Sequence, residues 1–316
     1  MSIATEQVYT LKDLENWPPS AAQFPADGTT LAVVGHPIAH SLSPVMHNAA
    51  LAELAKTNPK FSQWRYFKFD IAPEELKSAL DLFHKNRFRG LNLTVPHKAL
   101  VIPYLELKDA FVQDAGAANT LRYTEKGWHG FNTDGIGLSG ALREDLGVDL
   151  KNAHVILLGA GGAARGAAVE CLNRQCASLW IGNRTPATLR ALILSVKAST
   201  AFSGLTRKTP LEEFDPAHPP SNLPTDSIVI NATSLGLKAN DGSPLDLGKI
   251  PRPAKVYEMI YRPAQTALLR QASELGIANA NGLSMLVHQG AASLELWTGE
   301  SPPVKTMNQA VRAALN

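Results

Sequence analysis

Short apolar runs alternate with amphipathic stretches along the first third of the chain. Strands are predicted at 31–35, 64–69 and 90–95, and Pro96 ends the third of them. Apolar residues at helical spacing predict a helix over 44–55, and a second helix begins at the Pro-Glu-Glu sequence of 73–75. This alternation of strands and helices favours a mainly parallel sheet with helices on both faces.

A second series of elements follows the Asn-Thr-Asp-Gly sequence of 132–135. Apolar runs predict strands at 154–158, 178–181, 228–230 and 255–260. Helical spacing predicts helices over 137–146, 163–174, 186–198, 263–275 and 283–297. We therefore expect two α/β domains with a cleft between them, one formed by 1–133 and 282–316 and the other by 134–281.

Two polar segments that contain prolines lie outside this pattern. Residues 1–28 are expected to form a surface arm ahead of the first strand, and 210–224 are expected to form a surface loop.

The composition excludes several classes of protein. The chain has 316 residues, of which 45% are hydrophobic, so it is expected to be globular and long enough for two domains. Its 30 basic and 28 acidic residues give a net charge of +2 without segregation, which argues against nucleic-acid binding. No apolar run is long enough to span a membrane, and no secretory signal is evident at the start. Cys171 and Cys176 match neither a disulfide framework nor a zinc site, so we expect them to be buried in a cytoplasmic protein.

The sharpest local signal is the sequence Gly-Ala-Gly-Gly-Ala-Ala at 159–164, which follows a predicted buried strand and opens a predicted helix. In a dinucleotide-binding turn of this kind, Gly159 permits the tight turn and Gly161 lets the backbone approach a pyrophosphate. Ala164 permits close packing of the helix on the strand. The N-terminus of the helix would offer backbone N–H groups to the phosphates.

The end of the next predicted strand indicates which dinucleotide binds. An NAD site usually has an acidic residue there, whereas this chain has Asn183, Arg184 and Thr185. The guanidinium of Arg184 could bind a 2′-phosphate, with the two neighbours as neutral donors, so NADP is the favoured cofactor. The alternative is an ordinary solvated arginine at a strand end.

Two residues are candidates for acid–base chemistry. Lys98 follows a predicted strand and would lie in the first turn of a helix that Pro96 begins. Asp134 lies at the start of the next predicted helix. Each also has a structural interpretation, because Lys98 could be a surface lysine and Asp134 could cap its helix.

The segment 35–47 contains three histidines and two serines, Ser41 and Ser43. A metal site is not expected, because no pair of these histidines shares a helix with a carboxylate at ligand spacing. The hydroxyls suit hydrogen bonds to a polyhydroxylated ligand, although they could instead cap the helix before Pro44.

Taken together, nine segments resemble the motifs of the shikimate dehydrogenase family, in family order over about residues 31–300. They are GHPIAHSLSP at 35–44, NLTVPHK at 92–98, GAANT at 116–120, NTDG at 132–135, GAGGA at 159–163, NRT at 183–185, NATS at 231–234, YEMIYRP at 257–263 and GLSMLVHQ at 282–289. The family reduces 3-dehydroshikimate to shikimate with NADPH, on the route to chorismate and the aromatic amino acids.

This resemblance implies roles that the residues alone leave open. Lys98 and Asp134 match the catalytic pair. The groups that bind the substrate carboxylate and hydroxyls are matched by Ser41, Ser43, Thr94, Asn119, Tyr261 and Gln289. The cofactor-binding positions are matched by Gly159, Ala160, Gly161, Gly162, Ala163, Asn183, Arg184, Thr185, Thr233, Met259 and Gly282. The expected partners are a small-molecule substrate and NADP, in a monomer or homodimer.

Two departures from the family pattern and two alternative functions bear on this interpretation. Thr188 stands where a second arginine is frequent, with Arg190 two residues later, and Ser284 stands where glycine is common. One alternative is an NAD-dependent quinate/shikimate dehydrogenase, which would more often have an acid after the second Rossmann strand and threonine at position 43. The other is a non-catalytic NADP-binding regulatory module, which would be expected to lack Lys98 or Asp134.

Overall fold

The computed structural model describes residues 7–17, 29–205, 209–238 and 240–315, and these divide into two compact units. The first unit extends to Val112 and includes Gly116–Thr133 and the chain from Gln289 onward. The second contains Gln113–Ala115 and Asp134–His288. The last division, between His288 and Gln289, falls inside a helix, whereas the expected position was 281–282. The assignment of one unit to a substrate and the other to a dinucleotide stays a prediction.

The elements are numbered in chain order. The strands are β1 (Val8–Tyr9), β2 (Thr29–Gly35), β3 (Trp64–Asp70), β4 (Gly90–Leu93), β5 (Leu107–Lys108), β6 (Thr120–Thr124), β7 (Gly127–Phe131), β8 (His154–Leu158), β9 (Ser178–Gly182), β10 (Leu211–Phe214), β11 (Ile228–Asn231), β12 (Lys255–Glu258) and β13 (Ala278–Ala280). The α-helices are α1 (Leu11–Glu15), α2 (Ser43–Leu54), α3 (Leu76–Lys85), α4 (His97–Leu100), α5 (Ala110–Ala115), α6 (Asp134–Leu146), α7 (Gly162–Asn173), α8 (Pro186–Lys197), α9 (Thr200–Ser203), α10 (Ala267–Glu274), α11 (Leu283–Thr298) and α12 (Val304–Leu315). Short 3₁₀ helices cover Pro59–Gln63, Pro73–Glu75, Ile102–Tyr104 and Leu247–Lys249.

In the first unit, the described residues form a seven-stranded sheet in the order β1-β3-β2-β4-β6-β7-β5. The strands from β1 to β4 are parallel to their neighbours, and β6 runs antiparallel to both β4 and β7. The predicted mainly parallel sheet is confirmed. The hairpin of β6 and β7 was not predicted, because polar or basic residues interrupt the apolar positions of β6, and glycine and histidine interrupt those of β7.

In the second unit, the described residues form a six-stranded sheet in the order β10-β9-β8-β11-β12-β13, and every pair is parallel. Renumbered within the unit, this order is 3-2-1-4-5-6, the order of a Rossmann dinucleotide-binding sheet. The predicted fold class is confirmed. The central strand β8 has the predicted bounds, and Val155 to Leu158 are fully buried, as expected for a strand covered on both faces.

The predicted surface arm is wrong for residues 8–17. Val8 and Tyr9 add β1 to the edge of the first sheet, and Leu14 of α1 is fully buried. Trp17 then packs edge-to-face on Phe67, with the ring centroids 5.3 Å apart. Burial of these side chains outweighs the polar composition around them. The rest of the predicted arm, 1–6 and 18–28, lies outside the described residues.

The predicted surface loop at 210–224 is wrong in its first part, which forms the edge strand β10. Glu212 and Glu213 are exposed, whereas Phe214 is buried against Gly182 of β9. An edge strand needs few apolar positions, so this short strand has little apolar signal. Its two adjacent charges and the flanking prolines made the segment look like a loop.

The remaining elements that were not predicted are β5, α5, α9, β13 and α12. The final helix α12 packs against α2 and buries Met307 and Val311, whose spacing of four residues is a weak helical signal on its own. In the part of the chain that the structure describes, no helix is both long and apolar enough to cross a bilayer.

A buried histidine on α2 makes the stability of the first unit depend on pH. His47 has no exposed surface and stacks on Tyr66, with ring centroids 4.2 Å apart. Burial lowers the pKa of His47 from 6.5 to about 3. Below the ordinary histidine pKa, the unfolded chain therefore takes up a proton at His47 that the folded chain does not. The free energy of unfolding consequently decreases as the pH is lowered.

We expect His47→Asn to be less stable than the parent near neutral pH, with the difference shrinking by about 1.4 kcal/mol for each pH unit of acidification below about pH 6.5. Urea unfolding at a series of pH values measures this difference. Tyr66→Phe removes a buried hydroxyl beside the same ring but no group that titrates in acid, so its loss of stability should be constant. A constant difference for His47→Asn would mean that the folded protein protonates His47 readily.

Candidate active site

The centre of the second sheet is where its strand order reverses, between β8 and β11. In parallel α/β sheets, ligands bind at the carboxyl ends of the strands on either side of this point. Gly159 follows β8 and has a φ of +113°, a conformation that strongly favours glycine. A Cβ on Gly159 would also lie 3.1 Å from the carbonyl carbon and oxygen of Ala232, which follows β11. The turn therefore requires glycine on two grounds.

The N-terminus of α7 begins directly after this turn. Gly161 is the N-cap residue, and Gly162 and Ala163 form the first turn. A Cβ built on Gly161 or Gly162 would have no heavy atom of the described residues within 4 Å beyond its own local chain. Open space beside unsatisfied N–H groups at a helix N-terminus fits the phosphates of a dinucleotide, so this turn with Ala160 could hold a pyrophosphate.

The segment after β9 is organised by one asparagine. The Nδ2 of Asn183 donates to the carbonyl oxygen of Thr185 at 3.0 Å and to the Oγ1 of Thr188 at 2.8 Å. Thr188 in turn donates to the same carbonyl at 2.9 Å. Arg184 is exposed, and its side chain has no hydrogen-bond or ion-pair partner within the described ranges. Asn183 and Thr188 thus shape the turn, and Arg184 is the cation it presents to solvent.

Three other predicted cofactor positions lie on turns at the carboxyl edge of the same sheet. The backbone N–H and the hydroxyl of Thr233 both donate to the Oδ1 of Asn231, at 2.9 and 2.8 Å. A Cβ on Gly282 would clash with the carbonyl oxygen of Met259, so this close approach needs glycine. The structure thus brings Met259 and Gly282 together, and it places Thr233 beside Gly159.

Asp134 is buried and is the first residue of α6, while Tyr261 is half-buried and follows β12. The far end of α6 binds α11: the hydroxyl of Ser284 donates to Asp145 at 2.8 Å, and Nε2 of His288 lies 2.6 Å from a carboxylate oxygen of Glu144. The unusual Ser284 therefore contributes a hydrogen bond between two helices.

In the first unit, Lys98 is the second residue of α4, which is a single turn that follows β4. Its side chain is half-buried, and its carbonyl oxygen accepts a hydrogen bond from the N–H of Ala118. The neighbouring His97 is fully buried and donates from Nε2 to the carbonyl oxygen of Ile71 at 2.8 Å. Burial lowers the pKa of His97, which favours the neutral form of the ring that anchors α4.

The predicted hydroxyl donors lie at the starts of two helices. Ser43 is buried as the first residue of α2, and its backbone N–H donates to the Oγ of Ser41 at 3.3 Å. Thr94 is half-buried between β4 and α4, where its carbonyl oxygen accepts from the N–H of His97. Ser41 therefore accepts a backbone N–H at the start of α2, but neither serine caps the helix, because its N-cap residue is Leu42.

Asn119 and Gln289 are brought together in the first unit. The Oδ1 of Asn119 accepts the backbone N–H of Thr133 at 2.8 Å, which fixes the orientation of the amide. Its Nδ2 then donates to the Oγ1 of Thr133 at 2.9 Å and to the Oε1 of Gln289 at 3.3 Å. Because the oxygen of Gln289 accepts this bond, its NH₂ group faces the opposite way.

Sequence reasoning missed the hydroxyls behind this pair. Thr120, Thr133 and Ser293 are all buried, and the Oγ of Ser293 lies 2.7 Å from the Oγ1 of Thr120 and 3.2 Å from the Oγ1 of Thr133. Ser293 also accepts from Asn92 at 3.0 Å and donates to the carbonyl oxygen of Gln289 at 3.0 Å. Polar residues at helical spacing from Gln289 were the only available signal.

The remaining expectations concern the two cysteines and a metal site. Cys171 and Cys176 are free thiols in the interior, as predicted. Across the residues with described positions, no three histidine, cysteine, aspartate or glutamate side chains gather in an arrangement that could hold a metal ion.

Comparison with protein families gives two matches. Residues 33–121 match the shikimate dehydrogenase substrate binding domain, and residues 282–312 match the shikimate 5'-dehydrogenase C-terminal domain. The chain is 39% identical over 287 residues to the shikimate dehydrogenase (NADP(+)) of Methanocella arvoryzae, an alignment that covers 91% of this chain and 99% of the relative.

Solved structures give the same result. A shikimate dehydrogenase in complex with NADP+ has a TM-score of 0.80 and 32% identity, with 93% of this chain and 98% of that chain covered. The enzyme of Thermus thermophilus, in complex with NADP(H) and shikimate, has a TM-score of 0.77 and 34% identity, with coverages of 90% and 99%. This chain belongs to the shikimate dehydrogenase family.

Proposed function

We propose that this protein is an NADP-dependent shikimate dehydrogenase, an oxidoreductase that reversibly reduces the ketone of 3-dehydroshikimate to the alcohol of shikimate. The observation that carries the proposal is that the chain matches an NADP+-dependent shikimate dehydrogenase over 91% of its length. Its sequence also has Lys98 and Asp134, which the resemblance assigns to the catalytic pair. The predicted alternative, an NAD-dependent quinate/shikimate dehydrogenase, has less support, since no acid follows β9.

The second unit is proposed to bind the coenzyme. The turn at 159–163 and the N-terminus of α7 would hold the pyrophosphate, and Arg184 would bind the 2′-phosphate with Asn183 and Thr185 beside it. Thr233, Met259 and Gly282 would line the nicotinamide end. When bound, NADPH supplies the hydride.

The substrate is an anion with several hydroxyl groups, and the proposed binding residues are suited to it. Ser41, Ser43 and Thr94 provide hydroxyl donors, and Tyr261 provides a phenol. In Gln289, the orientation of the amide supports a donor role, because its oxygen already accepts from Asn119. The ligand atom that meets Gln289 would therefore be an acceptor, such as a hydroxyl or carboxylate oxygen.

Lys98 and Asp134 are proposed to manage the proton. Reduction of a ketone leaves a developing alkoxide that needs a proton, and a positioned acid lowers the barrier by about 10²–10⁴-fold. Lys98 would give this proton to the carbonyl oxygen. Asp134 would hold the lysine and a substrate hydroxyl in position, which is an orienting role.

The proposal also includes a cytoplasmic location and a monomeric or homodimeric state, with no nucleic-acid or membrane partner. The buried free thiols of Cys171 and Cys176 are compatible with a reducing compartment.

The function is tested by following absorbance at the nicotinamide band with the purified full-length chain. We expect kcat/KM for shikimate to be much higher with NADP+ than with NAD+, and higher than for quinate with either coenzyme. A preference for NAD+ or quinate would instead favour the alternative dehydrogenase. Folded protein that binds NADP+ without turning over shikimate would identify a regulatory module.

Lys98→Ala should lower kcat by about 10²–10⁴-fold while KM for shikimate changes far less, because the lost interaction belongs to the transition state. If Lys98 and Asp134 act as a unit, the double variant with Asp134→Asn should be little slower than Lys98→Ala alone. Lys85→Ala, at an exposed lysine of α3, is the matched control. An unchanged kcat with a raised KM would make Lys98 a binding residue.

Arg184→Ala should weaken NADP+ binding by roughly 10–100-fold and leave NAD+ binding nearly unchanged, since it removes charge-assisted hydrogen bonds to the 2′-phosphate. Equilibrium titration with each coenzyme measures the ratio. Arg190→Ala on α8 is the comparison. Thr188 stands where a second arginine is frequent and its hydroxyl is bound in the turn, so Arg190 is the other arginine near this turn. If Arg190→Ala abolishes the preference and Arg184→Ala does not, the selectivity has been assigned to the wrong arginine.

Ser293→Ala should lower kcat/KM for shikimate by about tenfold without changing coenzyme affinity, because it removes a buried partner of Thr120 and Thr133 behind Asn119. Thr298→Val is the matched control, since Thr298 on the same helix donates to the carbonyl oxygen four residues earlier but lies outside this network. Equal effects of the two substitutions on kcat/KM would show that the network does not orient the substrate groups.

A further inference from the structure

An acidic residue is buried at the carboxyl end of β12, where no proposed catalytic step uses it. Glu258 has no exposed surface. Among the residues that the structure describes, no lysine or arginine forms an ion pair with it. A buried carboxylate without a cation is costly to the fold, so its retention calls for a compensating role.

The carboxylate accepts hydrogen bonds from three different segments. The Nδ2 of Asn231 lies 3.0 Å from Oε1 and 2.9 Å from Oε2. The backbone N–H of Ile260 donates to Oε1 at 3.1 Å, and the hydroxyl of Thr266 donates to Oε2 at 3.0 Å. Glu258 therefore connects the end of β11, the chain just after β12 and the N-cap of α10.

Asn231 transmits this constraint to the turn that follows β11. Since its Nδ2 faces Glu258, its Oδ1 faces the turn, where it accepts both the N–H and the hydroxyl of Thr233. The same Nδ2 also donates to the carbonyl oxygen of Leu235 at 3.2 Å. The acceptor-only carboxylate thus determines which way the amide points, and the amide determines where Thr233 lies.

Met259 lies between Glu258 and the N–H that Glu258 holds at Ile260. We propose that Glu258 is a positioning residue that holds Thr233 and Met259 in the arrangement required by the nicotinamide end of the coenzyme. This inference rests on the proposed NADP-dependent function. Glu258 itself touches neither substrate nor coenzyme in the proposal and acts through Asn231 and Ile260.

The ionisation of Glu258 provides a distinctive readout. Burial raises the pKa of Glu258 to about 7, against the opposing effect of the hydrogen bonds from Asn231, Ile260 and Thr266. The ionised form can accept from all of these donors, whereas the protonated form turns one acceptor into a donor. Coenzyme affinity should therefore increase as pH rises through about 7.

The other titratable groups on the elements that surround Glu258 either stay neutral in this pH range or lie near the surface. Tyr257 precedes it on β12, and burial raises the pKa of this phenol further above its ordinary value, so it stays neutral in this range. The charged groups of the surrounding loop and helix lie at or near the surface. They are Lys238, Asp241, Arg262, Arg270 and Glu274.

The test compares Glu258→Gln with the parent enzyme by equilibrium titration of NADPH fluorescence, without substrate. The glutamine places an NH₂ group against the NH₂ of Asn231, so Kd at about pH 8 should rise by about tenfold, the effect of losing a hydrogen bond to a charged group. KM for shikimate at saturating coenzyme should change by less than about twofold. The Kd of Glu258→Gln divided by that of the parent should decrease toward acid pH. The titration of the coenzyme phosphate affects both proteins equally, so it cancels in this ratio.

Glu170→Gln is the matched control. Glu170 is another buried carboxylate of the same unit, and it accepts from Ser139 on α6 and from Arg174, the C-cap residue of α7. The substitution Glu170→Gln should lower the melting temperature without changing the Kd for NADPH. Glu258→Asp, which keeps the charge on a shorter side chain, should retain the pH dependence and recover part of the affinity.

Equal Kd values for Glu258→Gln and the parent, or the same pH profile in both, would overturn the proposal and leave Glu258 a structural residue. If Glu258→Gln does not fold, Thr266→Val removes one of the donors and should raise Kd by roughly two- to threefold, with an unchanged Kd again overturning it. If the parent itself does not bind NADPH, the proposed function fails instead of the role of Glu258.

Discussion

The chemistry of the second unit is confined to one edge of its sheet because the sheet is parallel and covered on both faces. The middle of β8 and β11 contains only buried apolar side chains, including Ile156, Leu157 and Val229, so a polar group there would have no water to solvate it. Turns at the carboxyl edge are where polar groups can be placed. The reversal of strand order between β8 and β11 then selects the point on that edge where two turns separate and backbone N–H groups face open space.

Each unit contains a buried polar network whose central side chain has partners on all its polar atoms. In the first unit, the amide of Asn119 has partners on both its oxygen and its nitrogen. In the second, Glu258 has donors on both oxygens. A buried network that is fully satisfied has few alternative arrangements, since any rotated amide would leave a donor facing a donor. The hydrogen bonds that make burial tolerable therefore also determine which atoms each unit presents to a ligand.

The fold could be predicted from the sequence wherever one kind of burial dominates a segment. The predicted bounds of β8 are those observed, because every residue from Val155 to Leu158 is apolar. The segment with Tyr9 and Trp17 was misassigned because its burial depends on aromatic partners far away in sequence. The same reason separates the predicted site residues from those that were missed. The turn at Gly159 can be recognised from its local sequence, whereas the hydrogen bonds of Ser293 to Thr120 and Thr133 join residues that are far apart in the sequence.

Several positions serve the fold and the proposed function with the same atoms, and this explains why single motifs are ambiguous. The hydroxyl of Thr233 already donates within its turn, and Ser41 already accepts from the N–H of Ser43 at a helix start. A substitution at such a position changes local stability and ligand binding together. Loss of activity alone therefore cannot separate the two roles. Comparison with a side chain that makes the same local bond elsewhere, as Thr298 does for Ser293, isolates the contribution of the site from that of the scaffold.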